Sequence, residues 1–334
     1  MPQLRRILIV TLLAMATCVW VQAQGTKQHA FLWTAKKGMQ DLGSLGGNSY
    51  ALGISNSGAV VGYYEDAATN LHAFLWTLKA GMQDLGTLGG SSSLASGINS
   101  SGQIVGWAQT SSGDTHAFLW TAGAGMQDLG TLGGSSSNAA AISEMGDVAG
   151  SSMRTGNTRE VAFFWSSKSG MCGLGTLGYI YSYAYGINGG AVVGASPLNP
   201  SLTESHAFIH RSGTMTDLGT LGGENSTALA VNTGQQVVGW SALAGGSPSH
   251  AFLWTQAGGM QDFGTLGGPN SSALAINGSG QVAGFSDLSE AGVTHAVVWS
   301  GPNQIQDLGT LGGTYATATG INDAGAVVGW SSLP

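Results

Sequence analysis

The chain has 334 residues, of which only 8% are charged, with 10 Lys and Arg against 17 Asp and Glu for a formal net charge of −7. So few basic residues argue against nucleic acid as a partner, because phosphate binding needs clustered Lys and Arg. The two cysteines, Cys18 and Cys172, leave no room for a disulfide framework.

In chain order the first element is a leader. "MPQLRRILIVTLLAMATCVWVQAQG" reads as a secretory signal peptide over residues 1–23: Arg5 and Arg6 give the positive start, Ile7 to Ala16 the apolar stretch, and Val21-Gln22-Ala23 the small-residue cleavage pattern. The apolar run is short for a membrane span, and no later stretch approaches roughly 18 unbroken apolar residues. A bacterial protein exported to the periplasm or beyond is expected, with outer-surface association left open. A lipoprotein reading at Cys18 is the weaker alternative, since Thr17 poorly matches the small residue wanted before a lipidated cysteine. Cleavage would remove Arg5, Arg6 and Cys18, leaving 8 basic against 17 acidic residues, a net charge of −9, and a lone Cys172.

After the leader one phrase recurs. "HAFLWTAKKGMQDLGSLGG" begins at His29, and six further copies start at His72, His116, Val161, His206, His250 and His295, spaced by 43 to 45 residues. A period in the forties marks a propeller or solenoid. The unit after Gly90 contains four extended segments: "SSSLASGIN", "GQIVGWA", "HAFLW" and "MQDLGTLGG". Between the first two, Asn99-Ser100-Ser101-Gly102 predicts a tight turn, with Asn capping it and Gly taking positive φ. Four strands per unit is the content of one propeller blade.

The chain starts with third and fourth strands at His29 to Gly47 and stops with first and second strands at Thr314 to Trp330. The expected fold is therefore all-β: residues 24–334 form one seven-bladed β-propeller of four-stranded antiparallel blades, closed by a composite blade from the two ends. A β-solenoid is the rival. Small residues such as Ala51, Gly53, Ala95, Gly97, Ala318 and Gly320 in the first segment suit the crowded position nearest the axis.

"HAFLW", "MQDLGTLGG", "AxxIN" and "GxVVGxS" together resemble the HAF-type extracellular repeat of bacteria, across essentially the whole chain after the leader. The resemblance implies an extracellular protein and brings no activity, cofactor or catalytic residue with it.

The copies can be compared with one another. The phrase carries six histidine and aspartate combinations: His29 with Asp41, His72 with Asp84, His116 with Asp128, His206 with Asp217, His250 with Asp262 and His295 with Asp307. The copy that loses the histidine to Val161 also loses the aspartate to Gly173, which predicts a buried structural pair between adjacent strands. Metal binding and catalysis are the competing readings; neither suits groups spread one per unit, since zinc wants three or four convergent ligands. No metal or cofactor is expected. Trp33, Trp76, Trp120, Trp165, Trp254 and Trp299 are expected to fill the space between blades, with His210 replacing one of them.

Positions that vary among copies are where a site can sit. "GYIYSYAYGIN" places Tyr179, Tyr181, Tyr183 and Tyr185 at alternate positions, which would put one aromatic stripe beside the channel for a sugar ring to stack on. The plain alternative is that they fill a blade that has lost other packing groups. The second-to-third loops carry Glu65, Asp66, Asp114, Glu160, Glu204, Asp287 and Glu290, flanked by Tyr63, Trp107, Trp240 and Phe285. These could form an acidic, aromatic-rimmed face, or be ordinary solvated loops above interblade aromatics. The expected function is a non-catalytic, monomeric binding module for an extracellular glycan or protein. The alternative is a secreted glycoside hydrolase or polysaccharide lyase using paired loop carboxylates.

Overall fold

The structure, a computed structural model, describes residues 27–334, so the leader expected over residues 1–23 lies outside the described residues. The described residues are all-β, with a single turn of 3-10 helix at Thr155–Asn157 in a loop. Antiparallel ladders gather the strands in fours. In one such group Gly89–Ile98, Ile104–Thr110, Thr115–Thr121 and Gly125–Asp128 follow one another as first to fourth strand. Ala95 faces Gly106, Gly106 faces Phe118, and Phe118 faces Asp128 across it.

The other internal groups run from Ser49–Ile54 to Gly81–Asp84, Gly133–Ile142 to Gly170–Gly173, Tyr183–Asn188 to Thr214–Asp217, Gly222–Val231 to Gly259–Asp262, and Gly267–Ile276 to Gln304–Gly309. The remaining group is assembled from both ends of the described chain. Ala316–Ile321 pairs with Val327–Ser332, which pairs with Gln28–Thr34, which pairs with Gly38–Asp41. Hydrogen bonding does not run continuously through all groups; three neighbouring pairs are joined by single parallel bridges, Ser136 to Thr115, Ser205 to Asn225 and Thr294 to Tyr315.

What holds the groups together is face-to-face packing. One cluster joins Val61 and Ala73 of one group to Ala95, Ile104, Ala108 and Phe118 of the next. The third-strand phenylalanines Phe31, Phe74, Phe118, Phe163, Phe208 and Phe252 have no exposed surface, and each such burial contributes about 1.5–3 kcal/mol. The tryptophans lie in the same crevices as expected: Trp299 is fully buried, while Trp33, Trp76, Trp120, Trp165 and Trp254 pack from the margin. His210 stands at the vacated tryptophan position, where burial holds its imidazole pKa below the usual value.

First strands of neighbouring groups touch one another in chain order, and Ala316–Ile321 in turn touches Ser49–Ile54. Their small residues are what allow this approach. A Cβ on Gly53 would sit 3.4 Å from Gly97 Cα, and one on Gly320 would sit 3.5 Å from Gly53 Cα.

Each first strand also carries a bulge, for example between Ala95 and Gly97, opposite a second-strand glycine. A Cβ on Gly106 would overlap the carbonyl oxygen of Leu94, and the same holds at Gly62, Gly150, Gly194, Gly239, Gly284 and Gly329. The bulge thus brings one backbone against another where no side chain fits.

The turn between first and second strands behaves as its sequence suggests. Asn99 Oδ1 accepts from the backbone N–H of Ser101 at 3.1 Å and of Gln103 at 3.0 Å, and Gly102 has φ of 76°. Its amide does something the turn signal did not foretell. Nδ2 of Asn99 donates to Ser143 O of the next group at 3.1 Å, and Asn322 donates likewise to Ser55 O at 3.1 Å.

The fourth strand is shorter than expected and does not end in the double glycine. It stops at Asp128, whose carboxylate accepts from Gly130 N at 2.7 Å, and Gly133-Gly134 instead opens the next first strand. Glycine is needed there because a Cβ on Gly134 would come within 2.5 Å of Met153 Cβ.

Candidate functional site

The six histidine and aspartate combinations all meet. Nδ1 of His29, His116, His206 and His250 donates to the paired Asp41, Asp128, Asp217 and Asp262 at 2.8 Å, and His295 to Asp307 at 2.9 Å. The same aspartates also accept the backbone N–H two residues on, as Asp262 does from Gly264 at 2.7 Å. One expectation needs correction: the pairs are not buried. Asp41 is 41% exposed beside a His29 that is 19% exposed, because the fourth strand is the free edge of its sheet and solvent reaches it.

His72 is held differently, with Nδ1 at 3.3 Å from Asp84 and Nε2 at 3.2 Å from Asp66, while the Tyr64 hydroxyl donates to Asp84 at 2.7 Å and its ring stacks on His72. Where Val161 and Gly173 replace the pair, a Cβ on Gly173 would lie 3.5 Å from Val161 Cγ2 and 3.2 Å from Arg154 Nη2, so the vacated space is filled by an isopropyl group and a guanidinium.

At one end of the molecule the second-to-third loops meet the segments that enter the first strands. Gly47 N donates to Glu65 O at 2.6 Å, and Leu88 bridges to Thr110. Most acidic residues of these loops brace them. Glu65 accepts from Asn48 Nδ2 at 3.0 Å, Asp114 from Ser112 Oγ at 3.0 Å, and Asp287 from Asn270 Nδ2 at 2.9 Å and Thr294 Oγ1 at 2.8 Å. Asp66 accepts from the Asn70 side chain and backbone and from His72, which holds its carboxyl down to about 2. Glu204 has Asn199 and His206 nearby at 3.5 and 3.8 Å, and Glu290 is exposed.

Glu160 differs in combining burial with the lack of a partner. It opens the third strand Glu160–Ser166, is partly buried, and its carboxylate accepts no hydrogen bond and makes no ion pair among the described residues. Burial pushes it up to about 7. Its backbone carbonyl accepts from Ser182 N at 3.2 Å, which sets Tyr181 and Tyr183 on either side of it. Burial, then the Glu160 charge, raises the Tyr183 and Tyr185 hydroxyls above the ordinary tyrosine value; Tyr185 and Tyr181 add to the shift at Tyr183.

The tyrosines do not form the straight stripe that alternation predicts. The first strand begins only at Tyr183, Tyr185 lies on the bulge between Ala184 and Gly186, and Tyr179 and Tyr181 sit in the bend ahead of it. Tyr183 and Tyr185 instead lie within electrostatic reach of Glu160, and Tyr179 makes an edge contact to Tyr181 with centroids 6.0 Å apart.

The expected rim residues are distributed among groups. Trp107, Trp240 and Phe285 stand opposite Leu94, Thr227 and Ser272 at equivalent second-strand positions, and Phe285 is buried. Tyr63 stacks on Tyr50 at 4.6 Å, Tyr50 meets the edge of Trp330, and Trp330 stacks on Tyr315 at 4.8 Å. Trp330, which repeats the position of Trp107 and Trp240, and Tyr315 join the aromatic residues expected from the sequence.

Among the described residues no group of three His, Cys, Asp or Glu is placed to hold a metal ion, and no helix is long and apolar enough to cross a membrane. No protein-family model matches the chain, and no curated protein matches its sequence. Similar solved structures do exist. A protein assigned as TolB from Agrobacterium tumefaciens aligns with a TM-score of 0.55 at 12% identity, over 93% of this chain and 99% of its own. The β-propeller domain of the Trilobed protease from Pyrococcus furiosus aligns with a TM-score of 0.55 at 11% identity, over 82% of this chain and 88% of its own. At such identities the likeness concerns architecture, and the chain has a β-propeller fold.

Proposed function

We propose that the chain is a single domain of seven blades closed into a ring by its terminal strands, and that it acts as an exported, non-catalytic interaction module that binds a glycan on its loop-bearing face. Closure is supported by the ladder between Gln28–Thr34 and Val327–Ser332 and by the unbroken series of first-strand contacts. The HAF-type repeat assignment, the cleaved leader over residues 1–23, the extracytoplasmic location and a monomeric state belong to the same reading.

The observation that carries the binding site is the departure of one unit from the repeat. Glu160, Tyr181, Tyr183 and Tyr185 gather where the other units carry mostly small or aliphatic residues. Phenol rings offer flat apolar faces with a polar edge, a combination suited to sugar rings. The His and Asp pairs serve as fastenings between third and fourth strands. An array of soluble glycans tests the reading: saturable binding that drops at least about tenfold, roughly 1.4 kcal/mol, in Tyr181→Ala with unchanged thermal stability supports it. Binding that survives both Tyr181→Ala and Tyr183→Ala places the site elsewhere.

The raised Glu160 carboxyl favours a second reading, a glycoside hydrolase or polysaccharide lyase with Glu160 as general acid. That chemistry needs a second free carboxylate about 5–9.5 Å away; the loop acids Glu65, Asp66, Asp114 and Asp287 are each engaged by hydrogen-bond donors, which leaves the loosely contacted Glu204 and the exposed Glu290. Absence of turnover on a broad polysaccharide panel would exclude it.

A further inference from the structure

Resting on the reading of the tyrosine cluster as a glycan site, we infer that the Glu160 carboxylate makes this site selective for amino sugars whose ring carries a free ammonium group. The first support is the position itself. Its equivalents in the other units are Gln28, Leu71, Thr115, Ser205, Ser249 and Thr294, all uncharged, so the blade does not require a carboxylate there. The same unit alone places tyrosine at all three alternate positions 181, 183 and 185.

The second support is electrostatic. A carboxylate withdrawn from water is costly unless a cation or donors compensate it. Glu160 has neither among the described residues, although it is the neighbour of phenol rings rather than of an empty apolar wall. An incoming ammonium would supply the missing charge. The tyrosine faces would attract the same cation through their ring quadrupoles, and ring stacking would accommodate the flat C–H face of the sugar that carries it. A neutral sugar gains only the stacking, and an N-acetylated one brings a bulkier, uncharged group to the carboxylate.

The test is calorimetric titration of the full chain, near neutral pH, with glucosamine oligomers, N-acetylglucosamine oligomers and glucose oligomers of equal length and linkage, for the wild type and Glu160→Gln. The expected result is at least about tenfold tighter binding of the glucosamine oligomer by the wild type, reduced to within about twofold of the glucose oligomer in Glu160→Gln. Equal binding of all three by the wild type, or a preference that survives Glu160→Gln, overturns the charge assignment while leaving the glycan reading in place. Binding of none of them, with Tyr183→Phe equally inert, removes both. Capture of a lysine-rich peptide through Glu160 in place of the sugars overturns the amino-sugar assignment in favour of a protein ligand. Thermal unfolding of each variant guards against loss of fold.

Discussion

Replacing Glu160 by glutamine should stabilise the protein, and should do so only above a definite pH. Burial moves this carboxyl from its ordinary 4.5 to about 7. Since a tenfold change in proton affinity is worth about 1.4 kcal/mol, the folded state penalises the ionised form by at most about 3.5 kcal/mol. Glu160 is only partly buried, so solvent screening brings the figure to about 1–3 kcal/mol. The sign follows from linkage. Between pH 4.5 and about 7 the folded chain binds more protons here than the unfolded chain, so stability falls as pH rises through that window. The full penalty stands above about pH 7 and vanishes below about pH 4.5.

Urea or thermal unfolding of wild type and Glu160→Gln, followed from pH 4.5 to 8.5, reads the difference directly, because other titrating groups are common to both. The variant should match the wild type near pH 4.5 and exceed it by about 1–3 kcal/mol at pH 8, a rise of roughly 2–6 °C in midpoint for a chain of this size. A difference that stays flat with pH, or a variant less stable than the wild type at pH 8, would refute the reasoning. It would mean that the carboxylate has a donor or cation beside it in solution.

Other consequences follow from the frame. Gly106→Ala should cost more than about 3 kcal/mol, because its Cβ would overlap Leu94 O, whereas Gly113→Ala, with φ of 89° but open space around it, should cost about 1 kcal/mol; chemical denaturation of the two separates overlap from left-handed strain. Asp262→Ala should cost about 1–3 kcal/mol and His250→Ala less than about 1, because the aspartate also holds Gly264 N and the histidine holds only the aspartate. Asn322→Ala and Asn99→Ala should each lose about 2 kcal/mol in the same denaturation experiment, since each amide caps its own turn and reaches the next group. A much smaller loss at Asn322 would contradict ring closure at the terminal junction.

The sequence made the strand content and the grouping in fours legible because the period repeats with little drift and most turns carry their own Asn and Gly. The meeting of histidine with aspartate was legible from one joint loss, at Val161 and Gly173. Its exposure was not, since nothing in "MQD" tells that the fourth strand is a free edge. The double glycine looks like a strand end although Gly133-Gly134 begins one; glycine answers equally to positive φ and to close approach, and only the neighbouring Met153 decides between them. The second-strand glycines were visible as part of a motif, yet their cause lies in a carbonyl on another strand. Glu160 was visible as one loop acid among seven. That its neighbours brace themselves with Asn, Ser and Thr while it remains unpartnered depends on contacts across units, which no local pattern records.

Repetition explains both the stability of this frame and the location of its departure. A unit that shares its packing faces with two neighbours must keep a buried apolar side chain (Phe in six units, Val297 in the other), Ala and the bulge-facing Gly, since an error there disturbs two crevices at once. The outer edge and the loop ends carry no such double duty, so changes there are cheap. The unit from Gly133 to Gly173 and the first strand that follows it have used this freedom in concert: the His and Asp pair is gone, Arg154 occupies its place, and the loop end has acquired Glu160 with Tyr181, Tyr183 and Tyr185. Simple decay would relax positions independently and would favour small or neutral residues. A partly buried acid beside the Tyr183 and Tyr185 phenols is energetically unfavourable to the empty protein, a penalty that a bound ammonium would offset under the amino-sugar proposal.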